Sequence, residues 1–326
     1  MAIFVLNMKT FGRSNGSSAP GASAYRAGER IRDERTGRTY DHTMRRDVMH
    51  KEILLPAKFA DLAPDWTRDR AALWNAAEAA ESRRNARVAR EVMVALPAEL
   101  AHAQRVALVR DFAQELADRH GFAVDLAVHA PREGVDRDPR NFHAHLLATT
   151  REVTSEGLGA KTTLDLSDGM RVRRGLEPFV NELHWTRERW AGVTNEALRA
   201  AHVQARVDHR SLAAQGIDRE PVLHLPRSVL EIERRGEVSE VAERLRTEHE
   251  ARCQSRFARS AAAERPARPQ SLEEIRREAR EAWLKSRQAA ASSQAQTIAS
   301  GPVAGPVAGP VAGRGAGRGP GDDFSL

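Results

Sequence analysis

Cysteine is nearly missing from this chain of 326 residues: Cys253 stands alone. An internal disulfide and any multi-cysteine zinc site are therefore excluded. Aromatic residues make up only 5%, and two of them, Tyr25 and Tyr40, are the whole complement of phenols. No run approaches the roughly 20 apolar residues that cross a bilayer, so an integral membrane protein is not expected. The first residues, Met1 to Leu6, carry no basic segment and no small-residue cleavage site, and so do not read as a signal peptide. No Gly-x-x-x-x-Gly-Lys-Ser/Thr phosphate loop occurs. These absences fit a soluble chain in a reducing, cytoplasmic compartment.

Charge is abundant. Lys and Arg number 51 against 45 Asp and Glu, a net +6 that favours a polyanionic partner or simply solvates the surface. Half of that excess falls in residues 26–46, with seven Arg and four acids.

The pattern along the chain predicts an α+β domain. Ile3–Leu6 reads as a strand, 12–21 as a Gly/Ser-rich loop, and 22–29 as a short helix entered through Pro20. Glu52–Leu55 reads as a strand stopped by Pro56. Residues 65–90 read as an Ala-rich helix capped by Asp65, and Val92–Leu96 as a strand. A helix is expected over 98–120 with Gly121 as its stop. Phe122–His129 alternates as a half-buried strand, and Phe142–Thr149 returns beside it after a charged loop at 131–140. This order implies a central, largely antiparallel sheet flanked by helices. A further helix is expected over 177–203, with Asp208-His209-Arg210-Ser211 in the loop beyond it. From 226 to 295 the chain is charged and helical in tendency, with Ser271 and Glu274 at capping-box spacing. From 296 it is low-complexity, with Gly-Pro-Val-Ala repeats that cannot bury a core and are expected to be disordered. The expected divisions are therefore 1–225, 226–295 and 296–326.

The most informative motif is Asn141-Phe142-His143-Ala144-His145-Leu146. Two histidines at i and i+2 on a strand project from one face. His129 ends the preceding strand on the face opposite Phe122, Val124, Leu126 and Val128, so a hairpin can bring it beside the pair. Three neutral imidazoles around one cation leave its charge free to polarise a phosphoryl oxygen. The plainer reading is three unrelated histidines, and a tri-His zinc hydrolase uses the same donors. Tyr25 lies in a small-residue helix beside Arg26. It is either a surface-packed ring or a nucleophile for a metal-bound phosphate.

These residues resemble the MobA/MobL relaxases, in particular the N-terminal domain of TraA-like conjugal transfer proteins. The resemblance rests on Ser23-Ala24-Tyr25-Arg26-Ala27-Gly28-Glu29, His50 to Pro56, Trp74-Asn75-Ala76-Ala77-Glu78 and Arg87-Val88-Ala89-Arg90-Glu91. It continues through Ala95-Leu96-Pro97, His129-Ala130-Pro131, the His143/His145 motif with Thr149-Thr150-Arg151, and Asp208 to Ser211. It covers residues 1–225.

The resemblance implies the fold of the histidine–hydrophobe–histidine (HUH) endonucleases. It implies a site- and strand-specific DNA transesterase of plasmid mobilisation and conjugation, which nicks at an origin of transfer and rejoins the strand after transfer. Tyr25 would be the nucleophile, forming a 5′-phosphotyrosyl adduct, and His129, His143 and His145 would hold Mg²⁺ or Mn²⁺. Imidazole donors alone equally suit Zn²⁺. Glu91 completes the catalytic set by orienting a ligand or the phenol. Arg26, Arg30 and Arg210 are the expected phosphate contacts, and Asp125 shares a strand face with His129 and is a candidate to fix a ligand tautomer. The implied partners are single-stranded or supercoiled origin DNA, relaxosome accessory proteins, a coupling protein and type IV secretion system, and a separate helicase. The implied location is the bacterial cytoplasm, with passage into the recipient alongside the transferred strand.

Two departures stand out. The run Tyr40-Asp41-His42 has His where relatives often place a second Tyr, which favours a single nucleophile. The insertion 132–140 lengthens the His129–His143 spacing. The competing readings are a non-catalytic DNA-binding module of a transfer complex and an HUH replication initiator. The intact Tyr25 and histidine set argue against the module. A tyrosine ahead of the histidine pair argues against the initiator.

Overall fold

The structure, a computed structural model, describes residues 2–131, 138–263 and 272–299. The expectations for most of the 131–140 loop, for Ser271 of the capping box and for residues 300–326 of the low-complexity segment lie outside the described residues; its first residues, 296–299, are helical and end the helix Leu272–Ala299 instead of being disordered. The chain divides into two units, Met1–Asp218 and Arg219–Leu326.

The first unit is built on a six-stranded sheet. Its strands are β1 (Leu6–Gly12), β4 (Val48–Leu54), β5 (Arg87–Ala95), β6 (Phe122–His129), β7 (His143–Thr154) and β8 (Gly157–Lys161). The order is β1-β5-β7-β6-β4, with β8 added to β7, and every pair is antiparallel. A separate hairpin joins β2 (Arg30–Arg32) to β3 (Thr39–Asp41). Helices α1 (Ala19–Ala27) and α2 (Arg70–Ala79) cover one face of the sheet. On the other face lie α3 (His102–His120) and, after the short α4 (Asp168–Arg173), α5 (Phe179–Ala200). The α+β class and the antiparallel sheet flanked by helices are as the sequence pattern implied.

Alternation assigns the faces. On β6, Phe122, Val124, Leu126 and Val128 join Phe112, Leu116 and Trp190 in the main apolar core. Ala144, Leu146 and Ala148 of β7 and Val92 and Val94 of β5 complete it. Each fully buried side chain of this size contributes roughly 1.5–3 kcal/mol by transfer from water. The intervening residues face α1 and α2, where a smaller cluster around Trp74, Ala89 and Leu147 forms. Trp74 and Trp190 are both buried in these cores, so neither is a stacking surface for bases.

Several boundaries move. The first strand is Leu6–Gly12, not Ile3–Leu6, because an edge strand keeps polar residues and hides from a search for apolar runs. The expected loop at 12–21 is shortened: Ser18 caps α1 by accepting from the Gly21 amide at 3.1 Å. Asp69, not Asp65, caps α2, which ends at Ala79. Residues 87–90, read as helix, belong to β5, where pairing with both neighbours overrides the helical preference of Ala and Arg. The Arg-rich segment, which the sequence pattern left without an assigned element, folds into the β2–β3 hairpin. Gly121 stops α3 as expected, at φ 74°.

The second unit contains α6 (Arg227–Arg234), α7 (Glu240–Ala263) and α8 (Leu272–Ala299). No helix among the described residues is long and apolar enough to cross a membrane.

Candidate metal centre

The pairing of β6 with β7 brings the histidines together. His129 sits directly across from His143, and Ala127 across from His145, so all three imidazoles emerge on the α1 side. Their ring centroids lie 5.2, 4.7 and 5.2 Å apart, and one nitrogen from each falls within 4.8 Å of the others. His129 and His145 are buried and His143 is half-buried.

The partners of each ring define its tautomer. His143 Nδ1 lies 3.0 Å from the Asn141 carbonyl, and His145 Nδ1 lies 2.7 Å from Glu91 Oε1. His129 Nε2 lies 2.7 Å from the Arg26 carbonyl. Each of these oxygens only accepts, so each of these nitrogens carries the proton. The lone pairs then sit on Nε2 of His143, Nε2 of His145 and Nδ1 of His129. That donor set fits a divalent cation: three neutral nitrogens, each with its far side tied to an oxygen. Burial holds His129 in the neutral form, lowering its pKa to about 3, with the nearby His145 and Arg45 acting the same way against the Arg26 carbonyl. Burial also lowers His145, although Glu91 pulls in the opposite direction.

Glu91 anchors the floor of the site. It lies in the interior of β5 rather than at its start, and it is fully buried. It accepts from His145 and from Arg26 Nε on one oxygen, and Lys9 Nζ stands 2.8 Å from the other. Burial alone would raise this carboxyl, but hydrogen bonds from His145 and Arg26 outweigh it and hold it well below the carboxylate range.

Arg26 is a correction. It is 6% exposed, paired with Glu91 and bonded through Nη1 to the Ala22 carbonyl at 2.6 Å, so it is not a phosphate contact on the surface. Asp125 is a second correction. Its carboxylate takes Ser23 Oγ at 2.6 Å, Arg70 Nε at 2.9 Å and Trp74 Nε1 at 2.9 Å, and no ligand imidazole. It pins α1 and α2 to the sheet two residues before Tyr25. Arg30 is exposed on β2, 3.9 Å from Asp41. Arg210 is exposed in the loop after α5 and held by Asp208 at 2.6 Å.

Tyr25 stands on α1 one residue before Arg26, and 41% of its surface is open. Its ring lies 4.2 Å from the Arg45 guanidinium carbon and edge-on to His42 at 5.2 Å. Arg45 also donates to the Tyr25 carbonyl at 2.7 Å and reaches His129 Nδ1 at 3.3 Å, while Asp47 holds it at 2.5 Å. One guanidinium therefore touches both the phenol-bearing residue and a metal-ligand candidate, and a bound cation would displace it from the His129 lone pair. Sequence reasoning missed Arg45 and Lys9. Their signal was weak: one Arg among seven, and one Lys on an unrecognised edge strand. Tyr40 packs its ring over Gly21, where a Cβ would come within 2.8 Å of it.

Comparison with known proteins matches residues 17–235 to the MobA/MobL family. The mobilization protein MobL of Acidithiobacillus ferridurans is 40% identical over 282 residues, covering 80% of this chain and 71% of that protein. The conjugal transfer protein TraA of Agrobacterium fabrum is 33% identical over 73% of this chain, but the match spans only 22% of TraA. A solved structure described as the molecular basis of vancomycin resistance transfer in Staphylococcus aureus is 29% identical. Its TM-score is 0.50, over 64% of this chain and 100% of that one.

Proposed function

The chain belongs to the MobA/MobL family, and from that premise we propose that it is a plasmid-mobilisation relaxase that cuts and rejoins one DNA strand at an origin of transfer through Tyr25. The observation that carries this reading is the set of three neutral imidazoles directly below the helix that bears an exposed phenol. His129, His143 and His145 would hold the cation. When bound, it supplies a Lewis acid for a phosphoryl oxygen and offsets charge in the transition state.

The chain's own residues do the rest. The Tyr25 oxygen attacks phosphorus, the P–O3′ bond breaks, and the product pair is a 5′-phosphotyrosine and a 3′-OH. The phenol loses its proton to solvent and the departing 3′ oxygen takes one up, so the step balances. Because one phosphodiester replaces another, the reverse attack by a 3′-OH rejoins the strand. Arg45 lies over the phenol ring and donates to the Tyr25 carbonyl, which holds the residue in place above the histidines. Glu91 is a positioning residue: it fixes the tautomer of His145 and touches no substrate. Asp125 and Ser23 hold α1, and with it Tyr25, against the sheet.

Mg²⁺ or Mn²⁺ is the assigned metal by family resemblance, and metal titration against Zn²⁺ tests it. The partners we assign are origin DNA, relaxosome accessory proteins and a coupling protein leading to a secretion channel, with unwinding done by another protein. The three functional divisions at 1–225, 226–295 and 296–326 belong to the same proposal. The test is nicking of a supercoiled plasmid carrying the cognate origin. Nicked product requiring divalent cation, abolished by EDTA and by Tyr25→Phe, is expected. Nicking that survives both treatments would overturn the reading.

A further inference from the structure

Three adjoining grooves run along the β1 edge of the sheet, from the start of α1 round to Phe179. The first, about 880 Å³, lies at the start of α1 between Arg38, Tyr40 and Arg84. It shares Asn85 with a second of about 470 Å³, which holds Arg83 and Lys161. That groove shares Arg87, Leu166 and Ser167 with a third of about 430 Å³, which ends at Lys9 and Arg90. Ten Lys or Arg line the three against three acids, and two acids behind the lining, Glu78 and Glu91, pair with Arg13, Arg35 and Lys9. Two of the lining acids are paired locally: Glu81 is shared by Arg151 and Lys161, and Asp165 is held by Arg90. Arg38, Arg83 and Arg84 make no ion pair among the described residues, and all three are exposed.

We propose that this track binds the sugar–phosphate backbone of a single DNA strand at a site separate from the cleavage centre. Arg87 lies six residues along β5 from Met93, the cross-strand neighbour of His145, or about 20 Å at 3.3 Å per residue. A strand held at Arg83 to Arg87 is therefore several nucleotides from the scissile position. The charge selects a polyanion, and the Ser82, Asn85 and Ser167 side chains add neutral donors of the kind that meet phosphate oxygens. The course selects a single strand. It begins on the α1 side, rounds the 83–87 turn and finishes on the α5 side beside Phe179, a bend that a duplex with a persistence length of about 150 base pairs resists. This inference rests on the DNA-processing reading above; the residues that carry it, Arg38, Arg83, Arg84 and Arg87, lie outside its chemistry, and Lys9, paired with Glu91, is where the track meets that site.

The test uses the full chain and fluorescence anisotropy with oligothymidylates of roughly 10 and roughly 30 nucleotides, bracketing the footprint of one binding face, and a duplex of the longer length. The R83E/R84E variant should lose about tenfold or more on the long strand and keep its affinity for the short one. Its salt dependence on the long strand should become shallower by about 1.4 in log–log slope, two phosphate contacts' worth. R244E/R259E, an equal charge change on α7, should leave binding unchanged. Equal losses on both lengths, equal losses in the α7 variant, or a larger loss on duplex would overturn the proposal. Adduct formation is scored in parallel on the wild-type chain with Mn²⁺ and single-stranded DNA carrying the cognate origin. A length-dependent loss without any adduct keeps the track and defeats the nuclease reading; a normal adduct without that loss defeats the track alone.

Discussion

Along β6, Phe122, Val124, Leu126 and Val128 turn toward α3 and α5, while Asp125 and His129 turn toward α1 and α2. Along β7, Ala144, Leu146 and Ala148 go one way and His143 and His145 the other. The same strands thus carry a dry core on one side and a paired ionic layer on the other. The apolar side contributes stability without direction, through area removed from water. The ionic side is a weaker source of stability, because desolvating Glu91, Arg26 and Asp125 offsets much of their attraction. What it supplies is orientation: Glu91 fixes His145, and Asp125 fixes the helix that carries Tyr25.

Mutations on the two sides should therefore fail differently. Glu91→Ala should have the largest effect. It strands Arg26 in a buried site and frees His145, so a loss of about 3–5 kcal/mol in urea unfolding is expected. A further loss of about 10–100-fold in metal affinity should appear by calorimetry. Glu91→Gln keeps the volume and an acceptor but not the charge, so it should lose less stability than Glu91→Ala and still lose metal affinity. Wild-type metal affinity in both variants would erase the distinction between the faces.

Phe112→Ala, on the dry side against Trp190, should cost about 3–5 kcal/mol. Metal affinity of the folded fraction should stay within a factor of about two, since the site shares no side chain with that core.

The smallest effect sharpens the comparison through pH. His120 is the exception on the dry side, a buried imidazole stacked on Phe122 with neither nitrogen hydrogen-bonded. Burial lowers its pKa to about 3, and Arg119, Arg171 and Arg90 act in the same direction. Glu182, 4.0 Å away, is shared with Arg119 and does not reverse this. The unfolded chain takes up a proton near pH 6.5 and the folded one does not, so stability is full above that pH and falls toward pH 3. The contribution lost by pH 5 is on the order of 2 kcal/mol. His120→Gln should flatten that slope in urea melts between pH 7 and pH 5. An unchanged slope would assign the acid sensitivity to other groups.

Much of this arrangement was legible in the sequence. The alternation of Phe122–His129 and the His-Ala-His spacing assign faces directly, because the side-chain period of a strand is two. Glu91 opposite Val92 and Val94 was readable on the same rule. What was not readable depends on partners distant in the chain. Arg26 looks like every other Arg of its segment until Glu91, 65 residues on, is brought beneath it. Asp125 shares a face with His129 but is captured by Ser23, Arg70 and Trp74, none of which a one-strand pattern includes. The first strand was misplaced because edge strands do not need apolar runs, and β2 and β3 were missed because three-residue strands leave almost no periodic signal.

The most direct test of the central claim is to find the residue that carries the DNA. The chain is incubated with Mn²⁺ and single-stranded origin DNA, the adduct is digested with nuclease and protease, and the peptides are read by mass spectrometry. The account predicts a nucleotide attached through phosphate to Tyr25. Attachment at Tyr40, or nicked DNA with no nucleotide on any peptide, would contradict it.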